Sequence, residues 1–82
     1  MNHIKVLFFA TLRDRLGTRS VDLDMPAGAT VSTLKSELAV RYPVLRELID
    51  HTLVAVNREY VFDPAVIPDD AEVALFPPVS GG

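Results

Sequence analysis

Only one stretch of this chain carries a sustained helical pattern. Thr30 is a good N-cap. Val31, Leu34, Leu38 and Tyr42 then fall on a single stripe. Pro43 stops the run, because the residue before a proline avoids the helical region. Leu45, Leu48 and Ile49 repeat the pattern too briefly for more than a turn. Most of the remaining pattern reads as strand. One main helix covers one face of a sheet and leaves the other open, so the chain is expected to be an α+β layer with a bare sheet face.

The strands follow from β-branched and aromatic runs and from alternation. Ile4 to Ala10 opens the chain as a strand, Thr11 to Leu16 reads as a short helical turn, and Gly17 stops it. From Arg19 to Met25, Val21, Leu23 and Met25 alternate with Ser20, Asp22 and Asp24, which predicts a half-buried antiparallel strand. Leu53–Asn57 and Glu59–Phe62 read as two strands about a turn at Asn57-Arg58. Asp63 to Pro68 is irregular with room for one helical turn, Asp69-Asp70 is a turn, and Glu72–Phe76 is the last strand. Pro77-Pro78 forbids further pairing. The expected order is β-β-α-β-β-β, with a folded unit over 1–76 and an extended tail over 77–82.

Size and composition narrow the function classes. A chain of 82 residues is one small domain. Leu, Ile, Val and Phe number 28, about a third of the chain, well above the level at which chains stay disordered. Cysteine is absent, which excludes a disulfide scaffold, a thiolate zinc site and a cysteine nucleophile. Two histidines leave little for any other metal site, and none is expected. The net charge of −3 and the scattered Lys and Arg residues argue against nucleic-acid binding. The apolar run Val6 to Ala10 is too short for a signal-peptide core or a membrane span. A soluble, cytoplasmic protein is expected. Asp69, Asp70 and Glu72 lie in a turn region, where acidic residues are usually only solvated. His51, after Asp50 near a helix end, is better explained by the helix dipole. Neither describes an enzyme site.

Alternation also assigns the open face. Lys5 shares a side with Leu7 and Phe9, and Glu72 shares one with Ala74 and Phe76. Lysine and glutamate seldom point unpaired into a core, so Leu7, Phe9 and Phe76 should face outward. If their strands are neighbours, they form an apolar patch of the kind that marks partner surfaces. Six residues follow Phe76, a reach of at most roughly 20 Å. Pro77-Pro78 stiffens the start of this arm. Gly81-Gly82 has no side chains and fits a narrow channel. The terminal carboxylate of Gly82 would be unhindered but unreactive until activated. With no phosphate-cradling motif here, activation would come from another protein.

At this point the chain resembles a known family. Ile4 to Ala10 followed by Leu12-Arg13, the central Val54-Ala55-Val56-Asn57-Arg58-Glu59-Tyr60-Val61, and the ending Glu72 to Gly82 are similar to the MoaD-type sulfur carriers, small subunits of molybdopterin synthase in the ubiquitin-like MoaD/ThiS group. The resemblance covers the whole chain. It implies a ubiquitin-like β-grasp fold with a flexible Gly-Gly tail. It further implies that an E1-like adenylyltransferase uses ATP to adenylate Gly82, and that a sulfur donor converts the adenylate to a thiocarboxylate. The sulfur would then pass to cyclic pyranopterin monophosphate in the active site of the large catalytic subunit, within a heterotetramer. The carrier itself would bind no cofactor and would not be an enzyme alone. By motif position the resemblance assigns Phe9, Tyr60 and Phe76 to the docking surface, with Leu7 added by alternation and Arg13 as a charged contact. Pro77, Pro78, Val79, Ser80, Gly81 and Gly82 would be the inserted tail. The rivals are a carrier for thiamin-thiazole synthesis, a ubiquitin-like protein modifier, and an interaction module with an inert tail.

Overall fold

The computed structural model describes residues 1–78. The chain runs β1 (Asn2–Phe8), α1 (Thr11–Leu16), β2 (Ser20–Met25), α2 (Val31–Arg41), a 3-10 turn (Pro43–Leu45), α3 (Arg46–Ile49), β3 (Leu53–Val56), β4 (Glu59–Val61) and β5 (Glu72–Phe76). The five strands form one mixed sheet in the order β2-β1-β5-β3-β4. β1 and β5 are parallel, and the other pairs are antiparallel. This is the expected β-grasp layer, with two short helices added to the main one.

The core lies between the sheet and α2. Ile4, Val6 and Phe8 of β1 point into it with Val54, Val56, Val73 and Leu75. From the helical side come Val31, Leu34 and Leu38, joined by Leu12, Leu45 and Ile49. The helical stripe is therefore the one expected, with Tyr42 half-buried at its end. Thr30 caps α2 through its side-chain oxygen, which accepts from the Thr33 N–H at 3.2 Å. Gly17 ends α1 in the left-handed region, with φ 78°, a conformation that glycine adopts without steric cost.

Three expectations are corrected. The first strand is Asn2–Phe8 rather than Ile4–Ala10. Asn2 is only 2% exposed. Asn2 and His3 pair with Met25 and Asp24 of β2, which extends the strand backward, and the Asn2 side chain is anchored as its amide donates to the Ile67 and Pro68 carbonyls and its oxygen accepts from the Asp70 N–H. At the other end Ala10 takes φ 52° and turns the chain out of the ladder into α1. The segment 63–68 forms no helical turn. It is a strap across the start of α2, held by a Thr30–Val66 bridge. The Asp63 and Ala65 carbonyls accept from the Ser32 and Val31 N–H groups, both at 3.0 Å. A helix leaves its first N–H groups without intrahelical partners, and this strap satisfies two of them. Asn57 and Phe62 fall just outside their strands.

Lys35 is the unexpected core residue. It is 6% exposed and reaches the Asp63 carboxylate at 2.8 Å, which ties α2 to the strap. Its ammonium also donates to the Thr52 carbonyl at 3.4 Å.

Candidate functional site

The strand register builds the open face. Ala55 stands opposite both Tyr60 and Ala74, and Ala74 stands opposite Leu7. One row thus runs Tyr60, Ala55, Ala74, Leu7 across the sheet. The next row toward the tail pairs Leu53 with Phe76. Phe9 extends beyond β1, held by its N–H on the Leu75 carbonyl at 3.2 Å. The kink at Ala10 follows at once, so the Phe9 ring stays over the end of β5. It stacks on Phe76 with centroids 4.7 Å apart and planes 13° from parallel. Tyr60 leans on Phe76 from the other side, at 6.1 Å and 51°. Stacked and tilted pairs are favoured ring geometries, so the patch is preorganised.

Two alanines give this face its shape. Ala55 and Ala74 are the floor of a hollow of about 290 Å³ walled by Leu7, Phe9, Tyr60 and Phe76, with Arg58 and Glu72 closing one end. Arg58 is held there by a tight turn in which Asn57 and Arg58 have φ 49° and 72°. Two consecutive positive values fit the twist of a two-residue hairpin. Asn57 is fastened twice to Glu72. Its N–H donates to the Glu72 carbonyl at 2.8 Å and its side-chain oxygen accepts from the Glu72 N–H at 3.0 Å.

Of the residues named from the sequence, Leu7, Phe9, Tyr60 and Phe76 are brought together around one hollow. Phe9 is 39% exposed and Tyr60 71%. Arg13 lies in an adjoining depression of about 300 Å³ with Leu7, Phe8, Phe9 and Arg19. Pro77 is half-buried and Pro78 exposed where the chain leaves β5. Val79, Ser80, Gly81 and Gly82 lie outside the described residues. Ala55, Ala74, Arg19 and Arg58 were not legible as site residues. Their part depends on register across strands that are distant in sequence. The alternation that exposed Leu7 and Phe76 marks Ala74 as their neighbour, and that was the one available signal.

The far end of the open face is polar. His3 bonds the Asp24 carboxylate at 2.8 Å and has Asp22 at 3.7 Å. The hydrogen bond to Asp24 raises the imidazole pKa above its ordinary 6.5. Desolvation opposes this, and the charges of Asp24, Asp22 and Asp70 add to it. A second apolar depression, of about 310 Å³, lies beside the edge strand β4. Thr52, Leu53, Val54, Tyr60, Val61, Phe62 and Asp63 line it. Phe62 there is 86% exposed. Among the described residues, no group of three or more His, Asp or Glu side chains is placed to hold a metal ion. No described helix is long and apolar enough to cross a membrane.

This architecture, a mixed five-stranded sheet carrying one main helix on one face and an open ringed surface on the other, is that of the ubiquitin-like β-grasp proteins. The ThiS family profile matches residues 6–82, and the chain belongs to that family. A relative from Arabidopsis thaliana named molybdopterin synthase sulfur carrier subunit is 39% identical over 79 residues, covering 96% of this chain and 82% of the relative. An Escherichia coli protein of the same name is 37% identical, covering 96% and 99%. Among solved structures, the small archaeal modifier protein 1 of Haloferax volcanii superposes with a TM-score of 0.85 at 31% identity, covering 96% of this chain and all of that one.

Proposed function

We propose that this chain is the sulfur carrier subunit of a molybdopterin synthase. The carrying observation is the continuity of β5. Phe76 ends the strand inside the ring stack of the open face, and Pro77 begins the arm that leads to Gly82. A partner seated on that face would have the terminus within the reach of the six residues after Phe76, at most roughly 20 Å. The likeness to carriers of that name over nearly the full chain supports the same reading.

The chemistry would be divided between proteins. In the first step the Gly82 carboxylate attacks the α-phosphorus of ATP on an E1-like enzyme. Pyrophosphate leaves and an acyl adenylate forms. AMP is a good leaving group where carboxylate oxygen is not, so a sulfide-level sulfur nucleophile from a donor can add to the carbonyl carbon and expel AMP. The product is a thiocarboxylate, a soft nucleophile that requires no cysteine in a chain that has none. The tail would then enter the large subunit, which would provide the general acid and base groups. Two loaded carriers would build one dithiolene on cyclic pyranopterin monophosphate. The carrier contributes positioning through Leu7, Phe9, Tyr60 and Phe76, and the reacting atom through Gly82. It is not catalytic alone. The setting would be cytoplasmic, and the assembly a heterotetramer with a carrier at each end.

The test is intact mass spectrometry after incubation with ATP, an E1-like activating enzyme and a sulfur source. The expected result is a mass gain equal to exchange of one oxygen for sulfur, localised to Gly82, and conversion of the pterin precursor once the large subunit is added. Amide adducts between Gly82 and lysines of other proteins would favour a modifier. A thiocarboxylate that the large subunit leaves unused would favour a carrier for another synthase. An unchanged mass with a competent activating system would return the inert-tail module.

A further inference from the structure

Charge is segregated along the open face. Asp22, Asp24 and Glu72 gather at the end away from the tail, where His3 and Lys5 answer them. At the tail end stand two arginines. Arg13 comes from α1 and Arg19 immediately precedes β2. They meet because α1 is inserted between paired strands, so its two ends return to the same edge of the sheet. The Arg19 carbonyl accepts the Phe8 N–H at 2.8 Å, which fixes its backbone on β1. Both arginines line the depression of about 300 Å³ that also holds Leu7, Phe8 and Phe9. They also line the adjoining one toward Gly17, which includes Asp14 and Thr18.

Neither guanidinium is firmly engaged. Arg13 has only its exposed sequence neighbour Asp14, at 3.7 Å. Exposed pairs of that length hold an arginine weakly. Arg19 makes no ion pair within 4.0 Å among the described residues. Two such cations on a chain of net charge −3 depart from its general sign. They border the stacked rings directly, with Phe9 common to both features.

We propose that Arg19 joins Arg13, the charged contact that the family resemblance implies, and that the two form a carboxylate clamp at the margin of the docking face. It would take an Asp or Glu side chain of the synthase large subunit that is next to an apolar side chain seated on Phe9. This rests on the proposed docking role of the open face and adds a specificity element to it. Guanidinium forks fit carboxylates in two-point geometry. A charge at the rim of an apolar contact sets register and association rate more than total affinity. Arg19 acts as a partner-selecting residue, outside the reacting atoms.

The test measures association of the purified chain with its cognate large subunit by surface plasmon resonance at several salt concentrations. Arg13→Glu and Arg19→Glu are compared with Arg15→Glu, which makes the same charge change at an exposed position on α1 outside the depression. Circular dichroism melts establish that each variant is folded. The clamp predicts that R13E and R19E each slow association by about tenfold and flatten its salt dependence, while R15E stays within about twofold of wild type. If wild type binds and all three variants behave alike, the clamp is overturned while the functional reading stands. If folded wild type does not bind the large subunit at all, both fall.

Discussion

The two faces of the sheet are made by the same strands and behave as opposites. On the covered face, Ile4, Val6, Phe8, Val54, Val73 and Leu75 are buried against α2 and its neighbours. One residue along the same strands, Leu7, Ala55, Ala74 and Phe76 turn outward. Phe8 and Phe9 are adjacent and chemically identical. Yet Phe8 is core while Phe9 lies in a surface stack. The difference shows that apolar content alone does not tell folding from docking. The pleat divides it. Burial on the covered face contributes to stability within the chain. Equivalent area on the open face is left for a partner.

Truncating the two phenylalanines separates those roles. Phe8→Ala should destabilise the fold by about 3–5 kcal/mol, the usual loss for a buried aromatic, measured by urea unfolding. Phe76→Ala should cost less stability, about 1–2 kcal/mol, because the half-buried ring gives up its surface pairs with Phe9 and Tyr60. It should weaken large-subunit binding by about 2 kcal/mol or more, as aromatic anchors at interface centres do. Comparable stability losses in both variants would break the comparison.

A smaller effect is expected on the covered side at the strap. Asp63→Ala leaves the Lys35 ammonium, buried in the wild-type fold, without its 2.8 Å partner. Asp63 itself is about half exposed, so solvent softens the loss. A cost of about 1–2 kcal/mol is expected, with faster amide exchange at Val31 and Ser32, whose N–H groups the strap accepts. Unchanged exchange there would detach the ion pair from the helix start.

The smallest effect belongs to the polar end of the open face. The folded protein raises the His3 pKa above 6.5, first through the Asp24 hydrogen bond. The protonated form is thus favoured in the folded state. Its contribution is fully present below the unfolded pKa and is lost as pH rises through the folded value. His3→Gln should remove a slight stability gain that is fully present below pH 6.5 and fades as the pH rises above it. Thermal melts across that range check it, and a pH dependence of opposite sign would contradict it.

Much of this division was legible in the residues. Lys5 and Glu72 on alternating strands exposed the side that carries Leu7, Phe9 and Phe76. The cap at Thr30, the stop at Gly17 and the turn at Asn57-Arg58 follow from local chemistry and were read correctly. What escaped depends on contacts between distant segments. Asn2 joins β1 because Met25 of β2 lies opposite it, and its polar side chain is buried there because the chain near Ile67 and Asp70 supplies its partners. Lys35 is buried against the usual habit of lysine because Asp63 arrives on the strap. The strap itself has no period to detect. Ala55 and Ala74 make a hollow only once β3 and β5 are in register. Arg19 joins Arg13 only because β1 and β2 pair across α1.

The separation of the faces is tested most directly by aromatic NMR of the chain titrated with the large subunit. The chain has four phenylalanines and two tyrosines, so each ring can be followed. The ring signals of Phe9, Tyr60 and Phe76 should shift and broaden together, while those of Phe8 and Tyr42 on the covered side stay in place. Shifts confined to Phe62, beside the edge strand β4, with the stacked rings unmoved, would place docking elsewhere and contradict the account.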